Sequence, residues 1–365
     1  MKNKLITTAL AGSLCALGTS AIAQTTISGN LNFVYGGVKQ ANTQGSGDYR
    51  FWGKESQINF ANKGKLNNGL DYAAGFSWEI DGNEALGAST ANDSMNAAQE
   101  NMYIDIFYAP GSYISLGVDH LPSSDQTLTN LVGTGYLGAP GVNNSGNLYP
   151  ASFNNANWGV GVSHNTPVAR LTFNYQPNAT DKWGGHNDSV HNVTNAADVD
   201  GNGRIEAGVQ GDLGVKGLYA LAYYMKQDHA RTAGGITAED PRGYRVAARY
   251  NFGKITVAGD YIKVQGTNPP NSGQITQTNS TSTNKGKSAA IAYAISPNLS
   301  VGYVRSTADT TLVGTVDEKV NHYQIGYNLG AIGISAEYRD GKGVGGQTGS
   351  AGEGEHMKIH MTTRF

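Results

Sequence analysis

The last eleven residues of the chain, EHMKIHMTTRF (Glu355–Phe365), alternate between apolar and polar side chains. Successive side chains of a β-strand point to opposite faces, so residues two apart share a face. One face of this stretch carries Met357, Ile359, Met361, Thr363 and Phe365, and the other carries Lys358, His360, Thr362 and Arg364. The stretch therefore predicts a strand that meets water on one side only and ends on an aromatic ring.

The N-terminus has the pattern of a secretory signal. Met1–Lys4 is positively charged, the run from Leu5 to Leu17 is apolar, and Ala21 and Ala23 supply the small residues that a signal peptidase requires. We expect cleavage after Ala23, so that residues 1–23 are a signal peptide and residues 24–365 form one mature domain. The single cysteine of the chain lies inside the expected signal, so the mature domain would be held together without disulfides.

Composition argues against two classes of protein. The net charge of −2, which becomes −4 once Lys2 and Lys4 are removed, provides no bulk positive charge to attract nucleic acid. Mean hydropathy is −0.38, and after residue 23 no stretch approaches the ~20 apolar residues of a membrane-spanning helix. An exported chain with 50 glycines and 20 tyrosines is then either a soluble β protein or a transmembrane β-barrel, whose alternating strands give a weak hydropathy signal.

Alternation recurs along the whole chain. GLDYAAGFSWEID (Gly69–Asp81) places six apolar residues at every second position, opposite a face that includes Asp71 and Glu79. With weaker segments included, we count sixteen predicted strands. Tyrosines at strand ends suit the aromatic girdles of a membrane barrel; they are Tyr35, Tyr108, Tyr175, Tyr250 and Tyr338.

The connections between these strands alternate in length. Short turns such as APG (109–111) interleave with long polar segments near 37–50, 81–99, 121–156, 177–204, 227–242, 264–286, 306–318 and 340–354. Sixteen strands of ~11 residues fit the length of the mature chain. We therefore predict one closed, all-β, antiparallel transmembrane barrel of 16 strands, which encloses a water-filled channel because its interior is too wide for side chains to fill. A soluble β-sandwich is the alternative, but it gives no reason for tight turns at one end only.

Four parts of the sequence resemble the general porin family of Gram-negative outer membranes. They are TTISGNLNFVYGGV (25–38), KLNNGLDYAAGFSWEID (65–81), YISLGVDHLPSSD (113–125) and the terminal Phe365. The resemblance implies a trimeric 16-stranded barrel with short periplasmic turns, long external loops and a third loop, about Leu121–Asn157, folded into the pore. It also implies localisation in the lipid bilayer of the bacterial outer membrane, a homotrimer, and Phe365 as an assembly signal for the barrel assembly machinery.

The activity that the resemblance implies is passive diffusion of small hydrophilic solutes and ions. The third loop departs from the family, because Asp125 is its only charged residue and the common acidic cluster is absent. Strand phase predicts that the pore is lined instead by wall charges, which would orient dipolar solutes and produce weak ion selectivity. The predicted pore-lining residues are Asp71, Glu79, Asp105, Asp119, Asp125, Arg170, Arg245, Arg249 and Lys358. The alternative is that these charges lie at different depths and are screened by water.

One motif resembles a calcium loop. DVDGNGRIE (198–206) matches calcium-loop positions 1, 3, 5, 6 and 9 with Asp198, Asp200, Asn202, Gly203 and Glu206, but position 12 is Val209 instead of the bidentate glutamate. We expect either a Ca²⁺ site in an external loop or a solvated turn. No cofactor is required by the predicted function. GxSxG, HExxH and CxxC motifs are absent, which argues against an enzyme.

Two alternative functions are compatible with the same predicted barrel. A substrate-selective porin would bind small anions or sugars along its lumen, with Arg170, Arg245 and Arg249 as candidates for anions. A barrel-anchored surface adhesin would use its long loops, of which TNPPNSGQITQTNSTSTNKG (267–286) is rich in Ser, Thr and Asn. On the clearly alternating strands, strand phase predicts an inner face of mostly Asn, Ser, Thr, Gly and charge, which argues against a line of aromatic residues for sugars.

Overall fold

The computed structural model describes residues 24–40, 47–53, 55–81, 96–118, 120–122, 128–132, 158–177, 203–227, 232–233, 236–237, 242–265, 283–310, 316–343 and 353–365. These residues form nineteen strand segments. They are β1 Gln24–Gln40, β2 Gly47–Gly53, β3 Glu55–Lys65, β4 Asp71–Asp81, β5 Asn96–Ala109, β6 Ser112–Val118, β7 Gly159–Asn165, β8 Arg170–Gln176, β9 Arg204–Gly211, β10 Leu218–Gln227, β11 Thr232–Ala233, β12 Ile236–Thr237, β13 Arg242–Phe252, β14 Ile255–Gln265, β15 Thr283–Ala294, β16 Leu299–Thr310, β17 Glu318–Leu329, β18 Ile332–Lys342 and β19 Gly354–Arg364.

The strands form one closed antiparallel barrel. β2 and β3 lie end to end along β1 and together occupy one position, and β11 and β12 form a separate small hairpin, so the barrel has sixteen strand positions as predicted. Each of the sixteen positions pairs with the next along the chain, with β10 pairing directly with β13, and β19 returns to pair with β1. The backbone N–H groups of Gly29 and Phe365 each donate to the other residue's carbonyl, at 3.0 and 3.1 Å. The C-terminal strand therefore closes the barrel.

Seven tight turns join neighbouring strands at one end, and we call this the turn end. Gly111 and Gly330 sit in two of these turns with φ of 67° and 68°, a conformation that a side chain would disfavour. At the other end, the external end, several connections are shorter than predicted: for example, β1 continues to Gln40 before β2 begins at Gly47, and β16 continues to Thr310 before β17 begins at Glu318. The predicted strands were too short because pairing continues through polar residues beyond the last apolar side chain.

The two faces of the barrel differ in chemistry. The outer face carries exposed apolar side chains. They include Phe33, Trp78, Leu171 and Ile359, which are 43–51% exposed. The inner face carries buried polar and charged side chains such as Ser77, Arg204 and His360. The predicted alternation of the last strand is confirmed, with Met357, Ile359 and Met361 outside and His360 inside. Among the described residues, no helix is long and apolar enough to span a membrane.

Candidate functional site: the inner face of the barrel

The first group of charges on the inner face lies on β8 and β9. Arg204 Nε is 2.8 Å from Glu206 Oε1, and both side chains are almost fully buried. Asn174 Nδ2 donates to the second carboxylate oxygen of Glu206 at 3.1 Å. Arg170 Nε donates to the side-chain oxygen of Gln210 at 2.9 Å, in the amide orientation that satisfies both groups. Alternate residues of two paired strands thus form two polar groups on the inner face.

The second group lies on β10, β13 and β14. Arg245 Nε is 3.4 Å from Asp260 Oδ1, and both side chains are buried. Arg249, four residues further along β13 and on the same face, lies over the ring of Tyr219 at 5.7 Å from the ring centroid, which is a cation–π distance. One arginine of this wall is therefore paired with a carboxylate and the other with an aromatic ring.

The third group is the densest and lies on β17, β18 and β19. Glu337 accepts a hydrogen bond from Arg339 Nη2 at 3.0 Å and also pairs with His322 Nε2. The strand register places Lys358 directly opposite Glu337 and His356 directly opposite Arg339. Three strands thus bring one carboxylate next to several nitrogen-containing side chains.

The wall formed by β4, β5 and β6 carries an acidic residue. Asp105 is 5% exposed, and its Oδ2 lies 3.2 Å from His120 Nε2. The His120 ring stacks on Tyr103 with 3.5 Å between ring centroids. The ring of Tyr103 occupies space next to Gly75 that a larger residue would fill. A Cβ at Gly75 would lie 2.9 Å from the Tyr103 hydroxyl oxygen, which is too close for two non-bonded atoms.

The segment that follows β6 runs inside the barrel. Asn174 Nδ2 on β8 donates to the carbonyl oxygen of Pro122. Further along, Leu128 belongs to a buried cluster with Leu221 and Ala247, on β10 and β13.

The same segment then reaches β17, far round the barrel from β8. Val132 N–H donates to Gln324 Oε1 at 3.1 Å, and Gln324 Nε2 donates to Asn130 Oδ1 at 3.2 Å. The described residues 120–122 and 128–132, which we call the lumen segment, therefore lie in the lumen, as predicted for the start of the third loop. Residues 133–157 and Asp125 lie outside the described residues.

The family follows from comparison with known proteins. The model of the family described as Gram-negative porin matches residues 7–352. The chain belongs to the Gram-negative porin family. It is therefore an outer-membrane diffusion channel, located in the bacterial outer membrane, as the sequence predicted. A search of curated proteins found no match.

Solved structures show the same fold at low sequence identity. An anion-selective porin from Comamonas acidovorans is 16% identical, with a TM-score of 0.64 and coverage of 94% of this porin and 100% of that chain. A loop-deletion mutant of OmpT, an outer membrane protein of Vibrio cholerae, is 14% identical, with a TM-score of 0.62 and coverage of 94% and 99%. A mutant of Rh. blastica porin is 15% identical, with a TM-score of 0.58 and coverage of 94% and 100%.

The predicted pore-lining residues of this porin lie in different environments. Asp105, Arg170, Arg245 and Arg249 lie on the inner face with the contacts given above, and Glu79 and Lys358 are half-buried on the same face. Asp71 lies at the turn end, where its 62% exposed carboxylate is 2.6 Å from Lys65 Nζ. Asp119 and Asp125 lie outside the described residues. The role of these side chains in conduction stays a prediction.

The predicted calcium ligands are divided between two regions. Glu206 lies within β9 and contacts Arg204 and Asn174. Asp198, Asp200 and Asn202 lie outside the described residues, so the calcium site stays a prediction.

The inner face of β10 was not predicted. Tyr219, Leu221, Tyr223 and Met225 point inward, unlike the Asn, Ser, Thr, Gly and charged residues expected on the inner face of the clearly alternating strands. No inner face was predicted for β10, because both faces of LYALAYYMK (218–226) are apolar and alternation alone does not identify the inner one. The inward-pointing Leu221 packs against Leu128 of the lumen segment, a contact that the sequence pattern does not predict.

Proposed function

We propose that this porin is a general diffusion channel for small hydrophilic solutes and ions, with weak ion selectivity. The observation that supports this is charge pairing on the inner face. Three arginines lie beside a carboxylate, at 2.8, 3.4 and 3.0 Å: Arg204 with Glu206, Arg245 with Asp260 and Arg339 with Glu337. A paired wall has a small net charge, so it favours neither anions nor cations strongly, but its local dipoles orient polar solutes.

Single-channel recording tests this proposal. The refolded protein would be inserted into a planar bilayer with a KCl gradient across it. We expect conductance proportional to salt concentration and a reversal potential close to zero. A reversal potential close to the Nernst potential of either ion would contradict weak selectivity, and no conductance from a folded barrel would contradict the channel itself.

An anion-selective channel is the second candidate. Arg249 contacts an aromatic ring, so this contact does not compensate its charge. One similar structure is described as an anion-selective porin. The variant Arg249→Gln would then shift the reversal potential toward cation preference, whereas Lys254→Gln, in a turn outside the lumen, would leave it unchanged. Equal reversal potentials in both variants would favour the general channel.

We also propose that the porin assembles as a homotrimer and that the barrel assembly machinery recognises its C-terminal strand. Support for recognition comes from the exposed Phe365 at the end of β19. Electrophoresis without heating would show whether the protein migrates as a trimer. A deletion of Phe365 that leaves the rate of assembly in cells unchanged would contradict the recognition.

A further inference from the structure

Arg249 of β13 differs in its partners from other arginines of the inner face. Four inward arginines lie beside a side-chain oxygen: Arg170 beside Gln210, Arg204 beside Glu206, Arg245 beside Asp260 and Arg339 beside Glu337. Arg249 has no such oxygen among the described residues, and its Nε atom is buried without a hydrogen-bond acceptor there. Its contact is the ring of Tyr219. A buried donor without an acceptor costs free energy, which the oxygen of a ligand would recover.

The strand register explains why the neighbouring strands supply no acceptor to Arg249. On β14 and β15, the inward residues that continue its row are Ala258 and Ala290, whose side chains carry no oxygen. The carboxylate of Asp260 on β14 lies beside Arg245 instead. The guanidinium of Arg249 can therefore bind an anionic group that enters the lumen.

The described surroundings of Arg249 on the wall are mostly apolar. On one side lies the half-buried ring of Tyr219, which packs against the buried cluster that contains Leu128 of the lumen segment. On the other side lies the half-buried Ala258, whose methyl group leaves space for a flat group beside the guanidinium. We call Tyr219, Arg249 and Ala258 the arginine corner. It combines one positive charge with apolar surface.

The arginine corner lies next to the place where the lumen segment meets the wall. Leu128 of this segment contacts Leu221, and Tyr219 is two residues nearer the turn end of β10. A strand rises about 3.3 Å per residue, so the corner begins roughly 7 Å beyond this contact. A solute that has passed the lumen segment from the external end therefore meets Arg249 next on this wall.

We propose that the arginine corner is a binding subsite for small aromatic carboxylates in the lumen. The proposal rests on the diffusion channel proposed above and names one class of solute for it. The planar guanidinium of Arg249 matches the two oxygens of a carboxylate and can donate charge-assisted hydrogen bonds to both. The ring of the solute would lie over Ala258 and beside Tyr219, where the burial of apolar surface adds to the affinity.

Tyr219 is a positioning residue in this subsite. Its cation–π contact restricts the long side chain of Arg249, so less conformational entropy is lost when a carboxylate binds. The variant Tyr219→Leu keeps the positive charge but removes this restriction. The variant Arg249→Lys also keeps the charge but loses the planar fork of donors. The two variants therefore separate the effect of charge from the effect of geometry.

Saturation-transfer NMR tests the proposal by measuring binding without requiring conduction. Sodium benzoate would be titrated into the wild type and each variant in lipid nanodiscs, with empty nanodiscs as the blank. Acetate, which has no ring, and benzyl alcohol, which has no carboxylate, are the control ligands. The matched control variant is Arg305→Gln, which removes an exposed arginine from the outer face of β16. Heat-modifiable mobility would verify that each variant is folded.

We expect Arg249→Gln to bind benzoate about 30-fold more weakly than the wild type, whereas Arg305→Gln binds it like the wild type. Tyr219→Leu and Arg249→Lys should each weaken binding about fivefold, and they replace Arg249→Gln in the test if that variant does not fold. The wild type should bind acetate and benzyl alcohol about tenfold more weakly than benzoate. Equal benzoate affinities of the wild type and the Arg249 variants, or equal affinities of the wild type for benzoate and acetate, would overturn the proposal.

Chloride conductance of the same preparations in a planar bilayer separates the subsite from the channel. A barrel that binds benzoate but does not conduct would contradict the diffusion channel and leave the binding site standing. A barrel that conducts but binds benzoate no better than acetate would contradict the subsite alone.

Discussion

At the scale of single residues, Glu337 of β18 contacts a residue of β17 and lies opposite Lys358 of β19 on the inner face. Its carboxylate contacts Arg339 Nη2 at 3.0 Å and His322, and it is 2% exposed. Removing one partner of a buried ion pair leaves the other charge without compensation, which costs about 3 kcal/mol or more. We therefore predict that Glu337→Gln lowers the free energy of unfolding by about 3 kcal/mol. Urea titration of the protein in lipid vesicles, followed by tryptophan fluorescence, would measure this change.

The matched control for Glu337→Gln is Glu355→Gln on the adjacent strand β19. Glu355 is exposed on the outer side of the sheet, so its loss should change the unfolding free energy by less than about 0.5 kcal/mol. The double variant Glu337→Gln/Arg339→Gln should recover part of the loss, because it removes the uncompensated guanidinium. Equal stabilities of the two single variants would show that the buried pair contributes nothing.

At the scale of elements, the sequence predicted strands well and the contacts between them poorly. The outward phase of β4, β8 and β19 followed from Trp78, Leu171 and Met361, because a membrane requires apolar side chains on one face only. The orientation of β10 could not be predicted in this way, because both of its faces are apolar. The pairing of Arg245 with Asp260 was also missed, since cross-strand neighbours depend on register, and alternation selects a face while the turn geometry fixes which residues lie opposite each other.

The lumen segment leads to a prediction at the same scale. Leu128 is 4% exposed and contacts Leu221 and Ala247, so Leu128→Ala should weaken this anchor by about 2–5 kcal/mol. We expect a larger or fluctuating single-channel conductance, because the segment then leaves the wall part of the time. The control is Leu116→Ala, whose side chain is 48% exposed on the outer face, and whose conductance should equal that of the wild type. A steady, unchanged conductance in Leu128→Ala would show that the hydrogen bonds to Gln324 suffice to hold the segment.

At the scale of the whole molecule, barrel closure depends on the meeting of β1 with β19. The ring of Phe365 covers Gly29 on the outer face, and the backbones of the two residues exchange two hydrogen bonds. A closed barrel has no free sheet edge, whereas an open one would expose unpaired N–H and C=O groups to lipid. The absence of a side chain at Gly29 leaves the space that the ring of Phe365 occupies at this junction.

We predict that Gly29→Ala impairs closure. A Cβ at this position would lie 2.7 Å from Phe365 Cζ and would also clash with the carbonyl oxygen of Gln57. Overpacking of this kind costs about 1–3 kcal/mol, so the variant should fold less completely in vesicles, as seen in heat-modifiable mobility. Gly259→Ala is the control, because its Cβ would meet nothing closer than Ser288 O at 3.8 Å. Alanine at Gly259 should be neutral or stabilising by up to about 1 kcal/mol, since it restricts the unfolded chain. Similar folding of the two variants would mean that the terminal ring moves aside without cost and that closure rests on the backbone hydrogen bonds alone.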